Sequence, residues 1–182
     1  MRDLKTRLEN VKRNLRLGIY GPTSLVLFVF LTACAGGESK FMTPKSHAIP
    51  VGATASLEVK FTAREPQEYQ AEITRMLRKE LPKALVTAGV FGNFSGPDGP
   101  IRYRLDVGVE KVHIVAPGAR AMLGALAGKS FVRVQVDVHQ AKPRRLITSF
   151  QSTGYGPSNI IDGYGYGQPV EQAIAEIVKN LK

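Results

Sequence analysis

Apolar residues recur along the chain in two rhythms. Leu57, Val59 and Phe61 alternate with Ser56, Glu58 and Lys60, the two-residue period of a strand with one buried face. Ile73, Met76, Leu77, Leu81, Leu85 and Val86 are mostly three and four apart, so they share one face of a helix. Thr62 and Glu65 have capping-box spacing ahead of that helix, and Pro66 suits a first turn. Pro82 should kink or restart it, and Gly89 or Gly92 should end it. Ile101, Tyr103, Leu105, Val107 and Val109 alternate again. At Val112 and Ile114 the phase slips by one, which predicts a bulge or strand end near Glu110 and Lys111. Val132, Val134, Val136 and Val138 form the cleanest alternation, Gln140 to Pro143 turn the chain, and Leu146, Thr148 and Phe150 continue as a fourth strand. Val170, Ala173, Ile174, Ile177, Val178 and Leu181 mark a closing amphipathic helix.

The predicted order is β-α-β-β-β-α. With one apolar face per element, the economical arrangement is an α+β two-layer sandwich: a mostly antiparallel four-stranded sheet with both helices on one face. The last three strands would form a meander. This single domain is expected over residues 55–182. Residues 34–54 lack periodicity and are rich in Gly, Pro, Ser and Thr, as in a flexible tether, with His47 a solvated side chain within it.

Residues 1–33 carry a different signal. A basic segment precedes the short apolar run Leu25 to Leu31, which is too short to span ~30 Å of hydrocarbon and fits the core of a secretory leader. Cys34 is the only cysteine, so no internal disulfide can form. Leu31-Thr32-Ala33-Cys34, followed by Ala35 and Gly36, resembles the lipobox of bacterial lipoproteins. The resemblance implies cleavage before Cys34, lipid transfer to its thiol and acylation of the new amino terminus. Two or three acyl chains would make membrane attachment effectively permanent. Ala35, in place of an aspartate, implies by the family rule the periplasmic leaflet of the outer membrane.

The net charge of +10 invites a nucleic-acid reading, but four of those charges come from residues 1–33. The remainder is spread over strands, turns and helices without a basic stripe interleaved with aromatics, so no nucleic-acid partner is expected. Gly124 to Ser130 superficially suggests a phosphate loop. Its glycines are too closely spaced, and it leads into a strand, whereas phosphate cradling needs a helix N-terminus. The same region, residues 116–130, is rich in small residues and carries Met122, Leu123 and Leu126 beside Arg120 and Lys129. Either it folds back over the sheet, or it contacts a membrane or partner. Tyr155, Tyr164 and Tyr166 lie in a glycine-rich segment and form the candidate binding patch, since flat amphipathic rings suit sugars or protein surfaces.

Asp98, Asp106, Asp137 and Asp162 show no convergent spacing. His113 and His139 fall on strands and could be neighbours, but two histidines without carboxylate or thiolate company make a poor metal site. No catalytic cluster, metal or cofactor is therefore expected. The element order, the Gly/Ala-rich loop and the Gly-rich stretch before the last helix resemble a group of small bacterial lipoproteins. They are also similar to the lipoprotein that plugs the lipopolysaccharide export barrel and to the core of the curli secretion lipoprotein. That resemblance implies non-enzymatic structural, assembly or export work in the envelope, with a protein partner or copies of the chain itself. The alternative is a binder of envelope glycan or lipid through the Gly/Tyr-rich loop.

Overall fold

The computed structural model of the chain describes residues 37–64, 69–96, 101–156 and 165–182. Leu31 to Cys34 lie outside the described residues, as do Glu65, Pro66, Asp98, Asp162, Tyr164 and the Arg120 side chain. In chain order the elements are β1 (Gly37–Thr43), β2 (Thr54–Phe61), α1 (Gln70–Thr87), β3 (Asn93–Phe94) and β4 (Tyr103–His113). A short helix α2 (Pro117–Leu123) with a 3-10 turn (Gly124–Ala127) follows, then β5 (Phe131–Gln140), β6 (Arg145–Tyr155) and α3 (Gly167–Leu181).

The class is α+β as expected, but the sheet has six strands rather than four, in the order β1-β6-β5-β4-β2-β3. β4, β5 and β6 form the antiparallel meander. β2 runs parallel to β4, joined to it through α1, and the short β3 pairs in parallel with the start of β2. Valines 132, 134, 136 and 138 are fully buried and meet Leu105, Val107 and Val109 of β4 across the register. Ile73, Leu77, Leu81 and Leu85 of α1 and Val170, Ala173, Ile177 and Leu181 of α3 pack on that same face. Both long helices thus cover one side of the sheet, and each fully buried aliphatic side chain contributes roughly 1.5–3 kcal/mol.

The expected bulge is present. The register jumps between Val109 and Lys111, so Glu110 is the extra residue and Val112 turns back to the core opposite Val132. Gly89 ends α1 in a left-handed conformation (φ 73°). Its N–H donates to the Val86 carbonyl, and the Val90 N–H reaches the Leu85 carbonyl at 3.0 Å, the paired bonds of a Schellman stop.

Four expectations need correction. The tether is largely structured: Gly37 to Thr43 form the edge strand β1, antiparallel to β6. Beyond it the Ser46 N–H bonds to the Ile147 carbonyl, and Lys45 Nζ donates to the Leu181 carbonyl at 2.9 Å. The capping box does not form on Thr62, because α1 begins only at Gln70 and the Thr62 hydroxyl donates to the Val109 carbonyl. Pro82 does not restart α1, which runs unbroken from Gln70 to Thr87 with buried leucines on either side of it. In β6, a second register shift between Val138 and His139 leaves Leu146 exposed and buries Ile147.

Candidate functional site

One end of the sheet gathers the start of β1, the end of β4, the start of β5 and the end of β6. Gly37 pairs with Gly154, Tyr155 with Phe131, and Phe131 with His113. The α2 hairpin springs from this end, between β4 and β5. Its neck is clamped by buried Ser130, whose hydroxyl accepts the Val115 N–H at 3.0 Å and whose carbonyl accepts the Gly156 N–H at 2.7 Å. Gly128, with φ 83°, turns the chain from the 3-10 turn into β5. Among the described elements α2 packs only against the 3-10 turn that follows it. The folded-back alternative therefore fails: Met122 is 86% exposed, Leu126 89% and Leu123 55%. A side chain the size of Leu or Met left in water forgoes about 1.5–3 kcal/mol of burial. Met122, Leu123 and Leu126 take no part in the core cluster of the described residues.

The tyrosines do not converge. Tyr155 closes β6 on the sheet's outer face, where its hydroxyl donates to Glu38 Oε1 at 2.6 Å. Burial, together with that acidic partner, pushes its pKa above the ordinary tyrosine value. Tyr166 sits at the N-cap of α3 and stacks obliquely on Tyr69, with ring centroids 5.7 Å apart, at the margin of the core. Tyr164 lies outside the described residues.

Among the described elements no helix packs on the outer sheet face, which carries polar side chains that bond to one another. Asp106 and Asp137, which sequence spacing did not bring together, are register partners on β4 and β5. Arg104 bonds to Asp106 Oδ1 at 2.7 Å and also to Glu58 of β2. These carboxylates hold the Arg104 pKa above its ordinary value, Asp106 first. Lys60, at 2.9 Å, and then Arg104 hold the Glu58 carboxyl below its usual range. Asp137 accepts from the Ser149 hydroxyl at 2.7 Å and from Gln135 at 3.1 Å. His139 lies 3.7 Å from Asp106, whereas His113 stacks near Phe131 at the opposite end of β5, so the two histidines are not neighbours. No group of three or more metal-ligating side chains occurs among the described residues. Ion pairs and hydrogen bonds thus join Glu58, Lys60, Arg104, Asp106, Gln135, Asp137 and Ser149 across this face.

At the end of the sheet opposite the hairpin, a cleft of about 840 Å³ opens between the β2 and β4 starts and the β5–β6 turn. Arg102, Arg104, His139, Lys142 and Arg144 line it, with Glu58. Sequence reading missed this cluster because its members come from three separate segments. No helix among the described residues is long and apolar enough to cross a membrane.

No protein-family model and no curated protein matches the chain. Among solved structures, the PelC dodecamer from Paraburkholderia phytofirmans aligns with a TM-score of 0.53 at 15% identity, covering 80% of this chain and 96% of that one. A point variant of the same protein gives 0.52 at 16% over the same shares. A Xanthomonas campestris protein aligns at 0.47 and 12% identity, over 81% of this chain and 90% of that one, too remote to carry an argument. At such identities what is shared is the fold: residues of this chain adopt the architecture seen in the PelC subunit.

Proposed function

We propose that this chain is a non-enzymatic, lipid-anchored envelope protein, fixed through Cys34 to the periplasmic face of the outer membrane, and that it acts as a structural, assembly or export accessory. The observation that carries this reading is the shared end of the sheet. Cys34 stands three residues before Gly37, so an acylated cysteine would hold the first residue of β1 within about 10 Å of the lipid. The α2 hairpin leaves the same end from β4 and β5, two to three strand spacings away, or ~10–14 Å. Met122, Leu123 and Leu126 would then rest in the bilayer interface as a second foot, with Lys129 near anionic headgroups. With β1 beginning so close to Cys34, the domain would sit flush on the membrane rather than swing on a long tether. Self-association is part of the proposal, supported by the dodecameric state of the PelC relative in fold.

The test has two arms. Mass spectrometry of the cell-derived protein should find residues 1–33 removed and Cys34 acylated; a bare thiol on an intact leader would end the anchoring claim. Separately, M122E combined with L126E should weaken binding of leaderless, unacylated protein to anionic vesicles several-fold. Unchanged vesicle binding would remove the hairpin from the membrane while leaving the lipid anchor standing.

A further inference from the structure

We infer that the cleft between the β2 and β4 starts and the β5–β6 turn is a binding site for a ligand bearing several oxyanion groups, phosphate or carboxylate. Its volume of about 840 Å³ falls within the range of sites that enclose small molecules or chain ends, about 300–1,000 Å³. The described lining favours an anion, with Arg102, Arg104, Lys142 and Arg144 against the one carboxylate Glu58. Glu80 is paired with Lys79 and Lys83, Glu176 with Lys179, Glu38 with Arg133, and Asp106 and Glu58 with Arg104. Arg102, Lys142 and Arg144 have no carboxylate in ion-pair distance among the described residues, and all three line this one concavity.

The scaffold under them is rigid. The Arg102 N–H bonds to the Thr54 carbonyl at 3.1 Å, and its own carbonyl accepts the Ala141 N–H at 2.8 Å, which ties the β5–β6 turn to the start of β4. Arg104, immobilised between Glu58 and Asp106, forms the wall beneath. Guanidinium groups grip planar or tetrahedral oxyanions with paired N–H donors, and a lysine adds a point charge. Among the described residues that line the cleft none is aromatic, whereas four are Arg or Lys. The cleft lies at the end of the sheet away from the hairpin, so a ligand there would be presented on the side facing away from the proposed foot.

The experiment is calorimetry on the full chain in mild detergent, titrated with pyrophosphate, citrate and glucose at about 20 mM and then about 200 mM salt. Binding of pyrophosphate or citrate that weakens with salt, with no response to glucose, is the expected result, and the stronger of the two anions names the oxyanion class. R102Q, K142Q and R144Q should each weaken it about threefold and the triple variant more than about tenfold, while K179Q on α3 leaves it unchanged. The three side chains are exposed, so the fold should survive, which circular dichroism checks. Absence of binding by both anions, or binding that the triple variant retains, overturns the assignment.

Discussion

Replacing Gly154 by alanine adds a single methyl group at the point where α3 lies directly on β6. A Cβ at that position would fall 2.0 Å from the Pro169 carbonyl oxygen and 2.3 Å from the Ala173 nitrogen. Ordinary contact begins at 3.4 Å, so the helix must retreat by more than an ångström. Both opposing atoms are backbone, and neither can turn aside as a flexible side chain would. Retreat of α3 would loosen Val170, Ala173 and Ile177, all fully buried beneath it. Overpacking of this kind costs 1–3 kcal/mol in general; a rigid backbone on the receiving side places it at the top of that range, about 3 kcal/mol. In a domain of this size that lowers the melting temperature by about 10 °C. Thermal and urea unfolding followed by circular dichroism measure it. G108A is the matched control, because its Cβ would meet only the Thr62 hydroxyl at 3.7 Å, and it should be neutral or slightly stabilising. If G154A unfolded within about 0.5 kcal/mol of the parent, the close seating of α3 on β6 would be refuted.

Leu77 is fully buried at the centre of α1, and L77A should lose about 2–5 kcal/mol, seen as a lower urea midpoint with an unchanged slope; a loss under about 1 kcal/mol would mean that α1 is not packed as described. Tyr155 has its pKa raised in the fold, so between the unfolded value near 10 and the folded one the native state binds more protons than the unfolded state. Its contribution is therefore complete below pH about 10 and is lost as pH climbs through the folded value, and Y155F should show a weaker alkaline loss of stability, with its missing phenolate step visible in ultraviolet titration. Identical alkaline slopes for both proteins would count against the Tyr155–Glu38 bond.

The legible parts of the fold were those with strong periodicity. The valines of β5, the leucines of α1, the slip at Glu110 and the glycine stop at Gly89 follow from side-chain spacing and backbone sterics, which act locally. β1 was hidden because GESKFMT carries little apolar alternation. It is held instead by backbone pairing with β6 and by Ser39, which bonds to Asn180 at 2.7 Å and to Glu176 at 3.3 Å, both on α3. No window of sequence contains those partners. The capping box at Thr62 failed for a related reason: the hydroxyl found a nearer acceptor at Val109 once β2 and β4 lay side by side.

Sequence by itself determined the fold class, the order of the long elements β2, α1, β4, β5, β6 and α3, the single cysteine with its leader-like approach, and the apolar character of the segment around Met122, but not the short β3 and α2. Only the tertiary structure decided that this segment stands out from the sheet rather than lying over it, that β1 enters the sheet three residues after Cys34, and that Arg102, Lys142 and Arg144 share one cleft. Periodicity reports which side of an element is buried, because that is fixed by the local geometry of helix and strand. Convergence of distant segments is set by strand pairing and register, which depend on contacts between residues far apart in the chain.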